Sequence, residues 1–117
     1  MALIKSFTLL NGAAGNYVRV GYYHCDHVTR EASAHLMLYV SAAQRLAAPD
    51  APLCLIAKLR LQGDNFDAYL GTAALAALAD PGPDPVRDQI YAAAQAEELL
   101  AGGGLTAVSL ADAESDA

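Results

Sequence analysis

The chain has little of several residue types on which a core or an active site can depend. It has no Trp, only two Phe and two Cys among 117 residues, while Tyr occurs six times. Its hydrophobic share of 55% includes 26 Ala. Because an Ala side chain buries little apolar surface, Leu, Ile, Val, Phe and Tyr must form the core. A chain of this length is expected to fold as one domain.

Positive charge is also scarce. Seven Lys and Arg stand against 13 Asp and Glu, which gives a formal net charge of −6. The basic residues are scattered, and only Lys58 and Arg60 lie close together in the sequence. Two positive side chains are too few for the continuous basic stripe with which proteins follow a phosphate backbone. We therefore expect no nucleic-acid partner.

Long hydrophobic runs are missing as well. No stretch approaches the ~18 uninterrupted apolar residues that a transmembrane helix requires, and the N-terminus lacks the basic and apolar segments of a signal peptide. We therefore expect no membrane partner and synthesis in a cytoplasm. Cys25 and Cys54 could pair if their strands are neighbours, but in that compartment we expect them to remain reduced and buried.

The hydrophobic pattern of the first 70 residues predicts β-structure. The strongest signal is a run rich in β-branched and aromatic residues, which suit a half-buried pleated surface. A polar link separates it from a second β run, and this arrangement is typical of an antiparallel hairpin. The predicted strands are residues 3–10, 17–25, 35–40 and 53–61, with 66–70 as a short fifth candidate.

The C-terminal half contains the clearest helix pattern. Asp84 is an acceptable N-cap, and Pro85 suits the first helical position because its missing N–H costs nothing there. A narrow apolar stripe follows, and Gly102 provides a natural end. The stripe consists of Val86, Ile90, Ala93, Ala96 and Leu100. Shorter helical segments are predicted over residues 43–48 and 72–79.

These elements predict an α+β fold, in which a small antiparallel sheet of about four to five strands packs with one main helix from the C-terminal half. The single domain is expected to span residues 1–110. Residues 111–117 are small and acidic, and such a composition cannot bury enough apolar surface to order itself. We expect them to form a disordered tail.

One cluster has residue types that suit zinc. His24, Cys25, Asp26 and His27 are consecutive, and His35, the third histidine of the chain, lies on the predicted return strand. Imidazole and thiolate are common zinc ligands. On a strand, however, His24 and Asp26 point away from Cys25 and His27, so that the four cannot converge without a bulge.

Two ligand sets are therefore conceivable. If the turn centres near residues 30–31, His35 lies opposite Asp26 and beside His24. The other set joins Cys25 and His27 to Cys54. Neither has the spacing of a structural zinc site, so we expect no metal, and the low-ranking candidates are His24, Cys25, His27 and His35.

The sequence offers no catalytic group either. Cys25 and His27 have the chemistry of a nucleophile and a base, but residues two apart on a strand point side by side rather than at each other. The three glycines at 102–104 follow a helix, whereas phosphate-binding loops precede one. We expect no enzymatic activity and no cofactor.

The second predicted strand carries large side chains on both faces. Simple alternation places Tyr17, Arg19, Gly21 and Tyr23 on one face and Val18, Val20, Tyr22 and His24 on the other. The main helix can cover one face. A partner can cover the other, or the chain's own loops and Ala-rich segment can close over it. The interface candidates are Tyr17, Arg19, Tyr22 and Tyr23.

The order of segments resembles small virion-associated proteins of tailed bacteriophages. The similar features are residues 1–9 followed by an Asn-Gly loop, the aromatic strand over 17–23, the return strand ending in Leu38-Tyr39 before Ser41-Ala42-Ala43, Phe66-Asp67-Ala68-Tyr69 and the helix around Gln89-Ile90-Tyr91-Ala92. The chain departs from the pattern in its Ala/Asp-rich segment 73–84, its His-Cys-Asp-His cluster and its acidic tail.

The resemblance implies a non-enzymatic structural or accessory component of a phage tail, baseplate or fibre, located in the virion. Its partners would be other virion proteins and further copies of itself, held by protein–protein contacts of the sheet. No residue-level role is implied. The alternative hypothesis is a small metal- or ligand-binding module centred on the hairpin from His24 to His35.

Overall fold

A computed structural model describes residues 2–78 and 82–116. These ranges contain six strands: β1 (Ala2–Thr8), β2 (Ala14–Asp26), β3 (Glu31–Tyr39), β4 (Cys54–Gln62), β5 (Leu100–Ala101) and β6 (Glu114–Asp116). They also contain four helices: α1 (Ala42–Ala47), α2 (Asp64–Leu70), α3 (Thr72–Ala76) and α4 (Pro85–Ala96). Residue 1 of the predicted domain, residue 79 of the second short helix and residue 117 of the predicted tail lie outside the described ranges.

The strands form one antiparallel sheet in the order β5-β4-β3-β2-β1-β6. This confirms the α+β class and the antiparallel sheet, but the sheet has six strands rather than four or five. β5 and β6 have only two and three residues, too few to show a recognisable alternation in the sequence. β6 belongs to the acidic segment for which the sequence predicts disorder, and it pairs with residues 2–4 of β1.

The prediction of a fifth strand over residues 66–70 is wrong, because this segment forms α2. Phe66 and Leu70 are its buried residues. Four residues apart on a helix, they share one face, and both belong to the main core cluster. Five residues are too few to distinguish this spacing from the alternation of a strand.

α4 begins as predicted and ends earlier. The Asp84 carboxylate accepts a hydrogen bond from the main-chain N–H of Arg87 at 3.1 Å, and Pro85 is the first helical residue. The helix ends at Ala96 rather than Gly102, because Leu100 and Ala101 pair with β4 as β5. No helix in the described ranges has the length and apolar character to span a membrane.

The core lies between the sheet and the helices. α4 contributes four buried residues, Ile90, Tyr91, Ala93 and Ala94. The facing side of the sheet, which we call the inner face, contributes Val18, Val20, Leu36, Leu38, Leu59 and Leu61 to the same cluster. Small side chains on both layers, including Ala34 and Ala57 in the sheet, allow the layers to approach closely.

Candidate functional site

The direction of the side chains along β2 changes at a bulge. The pairing of β2 with β3 shifts between Val20 and Tyr22, so that Gly21 is an extra residue. One extra residue sends every later side chain to the opposite face. The inner face therefore receives Val18, Val20, Tyr23 and Cys25, and the opposite or outer face receives Tyr17, Arg19, Tyr22 and His24.

Simple alternation is thus wrong for the second half of β2. It groups Tyr23 with Tyr17 and Arg19, but Tyr23 pairs with Ala34 and packs against the main core. Tyr22 shares the outer face with Tyr17 and Arg19 instead. A glycine within a strand pattern is a signal for a bulge, so Gly21 could have indicated the change of face.

Side chains of α4 form hydrogen bonds with the main chain at this bulge. The main-chain N–H of Val20 donates a buried hydrogen bond to the hydroxyl of Tyr91 at 2.8 Å, and the guanidinium of Arg87 donates to the carbonyl of Val20. A bulge takes peptide groups out of the ladder between strands, and a buried unpaired group is costly. Tyr91 and Arg87 therefore hold the bulge that puts Tyr22 on the outer face.

Directly paired residues on neighbouring strands project to the same side of a sheet, so the outer face can be described as rows. Three consecutive rows, which we call the open rows, run across it from β2. They are Arg19–Met37–Leu55, Tyr22–His35–Lys58–Leu100 and His24–Ser33–Arg60.

The row beyond Arg19 is covered by the connection between β3 and β4. Tyr17 and Tyr39 pair there and are only 8% and 6% exposed. The hydroxyl of Tyr39 donates to the carbonyl of Pro49 at 2.5 Å, which ties the connection to the sheet. The open rows are different, since Tyr22 is 53% exposed and Leu100 63%. The predicted interface residue Tyr17 is therefore mostly buried within the chain itself.

Three cationic side chains lie in the open rows. Arg19 is half-buried, and Lys58 and Arg60 are exposed. The two ion pairs found among the described residues, Lys5–Asp112 and Arg30–Asp67, involve none of the three. Two shallow depressions of about 390 and 440 Å³ lie on either side of Arg60. The open rows therefore hold three cationic side chains that are outside the described ion pairs, although the whole chain is acidic.

Carboxylates border the open rows at both depressions. Glu98 lines one depression with Lys58 and Arg60, and Asp26 and Glu31, in the last row at the end of the β2–β3 hairpin, line the other with Arg60. Asp26 pairs with Glu31 across a turn of residues 27–30. The Asp26 carboxylate accepts from the main-chain N–H groups of Val28 and Thr29 at 2.9 and 3.2 Å. The bond from Thr29, followed by that from Val28, lowers the pKa of Asp26 below its usual value. Glu31 accepts from Gln62.

The middle of the open rows is built around Gly21. The rings of Tyr22 and His35 lie 5.3 Å apart and are tilted by 53°. A Cβ atom on Gly21 would approach Cγ of Met37 to 2.6 Å, so the glycine leaves the space in which the Met37 side chain lies. The result is a continuous surface of aromatic, thioether and cationic side chains.

The structure separates the zinc candidates. His35 pairs with Tyr22 rather than lying opposite Asp26, since the hairpin turn lies two residues earlier than the predicted centre. His24 is in the next row, opposite Ser33. His27 packs its ring edge against Phe66 at 5.3 Å. Among the described residues, no group of three or more possible ligands is placed to hold a metal ion.

The two cysteines are far apart. Cys25 is in a row with Ala32 and Leu61, whereas Cys54 pairs with Leu38 at the opposite end of the sheet. Cys54 and Leu61 are seven positions apart, which corresponds to about 23 Å of strand. Both thiols are free and partly buried, and burial raises the pKa of each. This excludes a joint Cys25–Cys54 ligand set.

Comparison with known proteins adds no relative to this picture. The chain matches no protein-family model, and no curated protein or solved structure shows significant similarity to it. The inference of function therefore depends on the geometry of the outer face, and the resemblance to phage proteins remains a prediction from the sequence.

Proposed function

We propose that this protein is a non-enzymatic docking protein that binds other proteins through the open rows of its sheet. The observation that carries the proposal is the combination on one face of an exposed Tyr, a half-buried Arg and Met, and the exposed cations Lys58 and Arg60, which are outside the ion pairs of the described residues. Aromatic residues, Met and Arg are the residues that protein interfaces favour, and Tyr and Arg often provide much of the binding energy.

The position of these residues supports the same proposal. They lie on three central strands whose opposite face packs in the main core, so the backbone that carries them is held in place before binding. A rigid surface loses less conformational entropy when a partner binds than a flexible loop does. Exposed apolar groups beside them, Tyr22 and Leu100, gain from burial under a partner.

A catalytic role is less well supported than docking. Cys25 points to the inner face, and His27 packs against Phe66. The predicted nucleophile and base are therefore directed to different neighbours, while the polar residues of the open rows are spread over a flat sheet. We infer that the protein acts by contacts alone.

We further propose, from the resemblance of the sequence, that the docking takes place in a tailed-phage virion. The chain would be a structural or accessory component whose partners are other virion proteins and its own copies, with no nucleic acid and no membrane. This placement rests on the order of segments in the sequence. The docking surface is compatible with such a role but does not itself indicate a phage origin.

The proposal can be tested by site-specific photocrosslinking. A benzoylphenylalanine at position 22 places the crosslinker in the open rows, and the same group at Leu10, 80% exposed in the β1–β2 connection, is the matched control. We expect position 22 to crosslink to a virion protein or to a second copy in purified particles, and position 10 to give much less product. Absence of the chain from particles contradicts the virion placement, and equal crosslinking at both positions contradicts the docking surface.

A further inference from the structure

Charge is divided between the two sides of this molecule. The open rows carry Arg19, Lys58 and Arg60, which are outside the described ion pairs. The other side is formed by α2 and α4, which contact each other. The described residues 64–78 and 82–88, which include α2 and the start of α4, contain four Asp and a single basic residue, Arg87. The guanidinium of Arg87 donates to the carbonyl of Val20, so this cation is directed toward the sheet.

Two carboxylates of the helix side are open to a partner. Asp64 is exposed in the first turn of α2, and Asp88 is half-exposed in the first turn of α4. Asp67 is compensated by Arg30 at 3.0 Å, and Asp84 caps α4. On the helix side, Asp64 and Asp88 are therefore the carboxylates that a partner can contact.

We propose that the open rows bind the α2–α4 side of a second copy of this chain. The inference rests on the proposed docking function and names its partner. A symmetric contact of two outer faces would place the cations of both copies against each other, which costs affinity. A head-to-tail contact instead pairs Arg19, Lys58 and Arg60 of one copy with Asp64 and Asp88 of the next.

Such a contact has a consequence for the size of the assembly. It uses two different surfaces on opposite sides of the two-layer fold, so each copy can bind two neighbours at once. Contacts of this heterologous type close into a ring or continue as a filament, whereas a symmetric contact stops at a dimer. The expected particle is a ring or a filament.

The experiment uses two complementary double variants of the full chain, measured by sedimentation velocity. The first is Lys58→Glu with Arg60→Glu, and the second is Asp64→Lys with Asp88→Lys. Each alone brings like charges together, and we expect the dissociation constant to rise at least about tenfold. An equimolar mixture restores opposite charges at every contact, so assembly should return.

The control is Lys5→Glu with Arg45→Glu, which makes the same change in net charge as the first variant but at residues outside both the open rows and the α2–α4 side. It should assemble as the parent does, since exposed ion pairs contribute little to stability. Urea unfolding of every variant checks the fold. A variant that unfolds is replaced by the Gln or Asn form of the same residues.

Each possible result decides a specific point. A parent that stays monomeric at about 1 mM overturns self-assembly, while crosslinking from position 22 to a different virion protein would still support docking. If the Asp64 and Asp88 variant assembles like the parent, the helix side is not used and the head-to-tail contact is wrong. If the Lys58 and Arg60 variant assembles like the parent, the open rows are not used for self-assembly and the head-to-tail contact is wrong, while the docking proposal is decided by crosslinking from position 22.

Discussion

The two faces of this sheet are made from the same strands but have different physical roles. Leu36 and Met37 are neighbours in β3, yet Leu36 is fully buried under the helices and Met37 is half-exposed among cations. The consecutive Tyr22 and Tyr23 show the same contrast on β2. The inner face gains its stability from burial in the main core, whereas the open rows leave exposed side chains that contribute little to folding.

This difference indicates what each face can tolerate. A residue that holds the core is expensive to change, while a residue kept half-exposed for a partner can change with little effect on the free energy of unfolding. Stability measurements on neighbouring residues can therefore separate the two roles before any partner is known.

The largest effect is expected from truncation of the inner face. Leu36→Ala removes a fully buried side chain and should lower the free energy of unfolding by about 3 kcal/mol. Met37→Ala, one residue away on the outer face, should cost about 1 kcal/mol or less. Urea denaturation of the two variants measures both values. Equal costs would contradict the contrast between the faces, and a Met37→Ala cost that grows with protein concentration would show that a second copy covers the open rows.

The bulge that links the two faces should be nearly as sensitive. Tyr91→Phe leaves the buried main-chain N–H of Val20 without its hydrogen bond, which should cost about 2 kcal/mol. Tyr69→Phe is the matched control, because its hydroxyl bonds the carboxylate of Glu97 in a partly buried position and should matter less. Urea denaturation and amide hydrogen exchange at Val20 provide the measurement. Unchanged exchange at Val20 in Tyr91→Phe would refute this role of the helix.

A smaller effect on stability is expected at Gly21, where the Met37 side chain occupies the space that a Cβ atom would need. In Gly21→Ala the new Cβ meets Cγ of Met37 at 2.6 Å, so the Met37 side chain must move and the expected cost is about 1 kcal/mol. Adding Met37→Ala removes the obstacle, so the second substitution should cost less in the Gly21→Ala background than in the parent. A double-mutant cycle in urea measures this coupling. Strict additivity would show that Met37 does not limit position 21.

The smallest effect concerns the turn at the end of the outer face. The main-chain N–H groups of Thr29 and Val28 lower the pKa of Asp26 in the folded state. The contribution of the Asp26 carboxylate to the free energy of unfolding is therefore complete above the pKa of the unfolded chain, and it is lost as the pH falls through the pKa of the folded state. Asp26→Asn should therefore lose less stability than the parent between pH 7 and about pH 3. Asp50→Asn in the β3–β4 connection serves as the control, and an identical pH dependence for Asp26→Asn and the parent would contradict the assignment.

Much of the fold could be predicted from the sequence. The alternation and β-branched content of the first 62 residues predict strands close to β1, β2, β3 and β4 as observed. Asp84 and Pro85 correctly predict the start of α4, because the cap is a local interaction. The end of α4 is different. The stripe continues to Leu100, but this residue pairs with Lys58 of β4, a partner 42 positions away in sequence that no local pattern reveals.

The candidate site was harder to predict for a related reason. The interface candidates stay a prediction, and the predicted faces of Tyr22 and Tyr23 were interchanged. A period of two holds only while every residue of a strand is paired, and the bulge at Gly21 breaks it. The His-Cys-Asp-His cluster was similarly misleading, since the hairpin register sends its members to different faces and neighbours.

The sequence by itself determined that this chain is a small acidic α+β protein with a hairpin of aromatic residues and a capped helix. These properties depend on composition and on interactions between residues a few positions apart. Only the tertiary structure decided which side of the sheet is left open, because that depends on a bulge held by Tyr91 and Arg87 from α4, about 70 residues from Val20. The burial of Tyr17 and the exposure of Tyr22, Lys58 and Arg60 follow from that long-range packing.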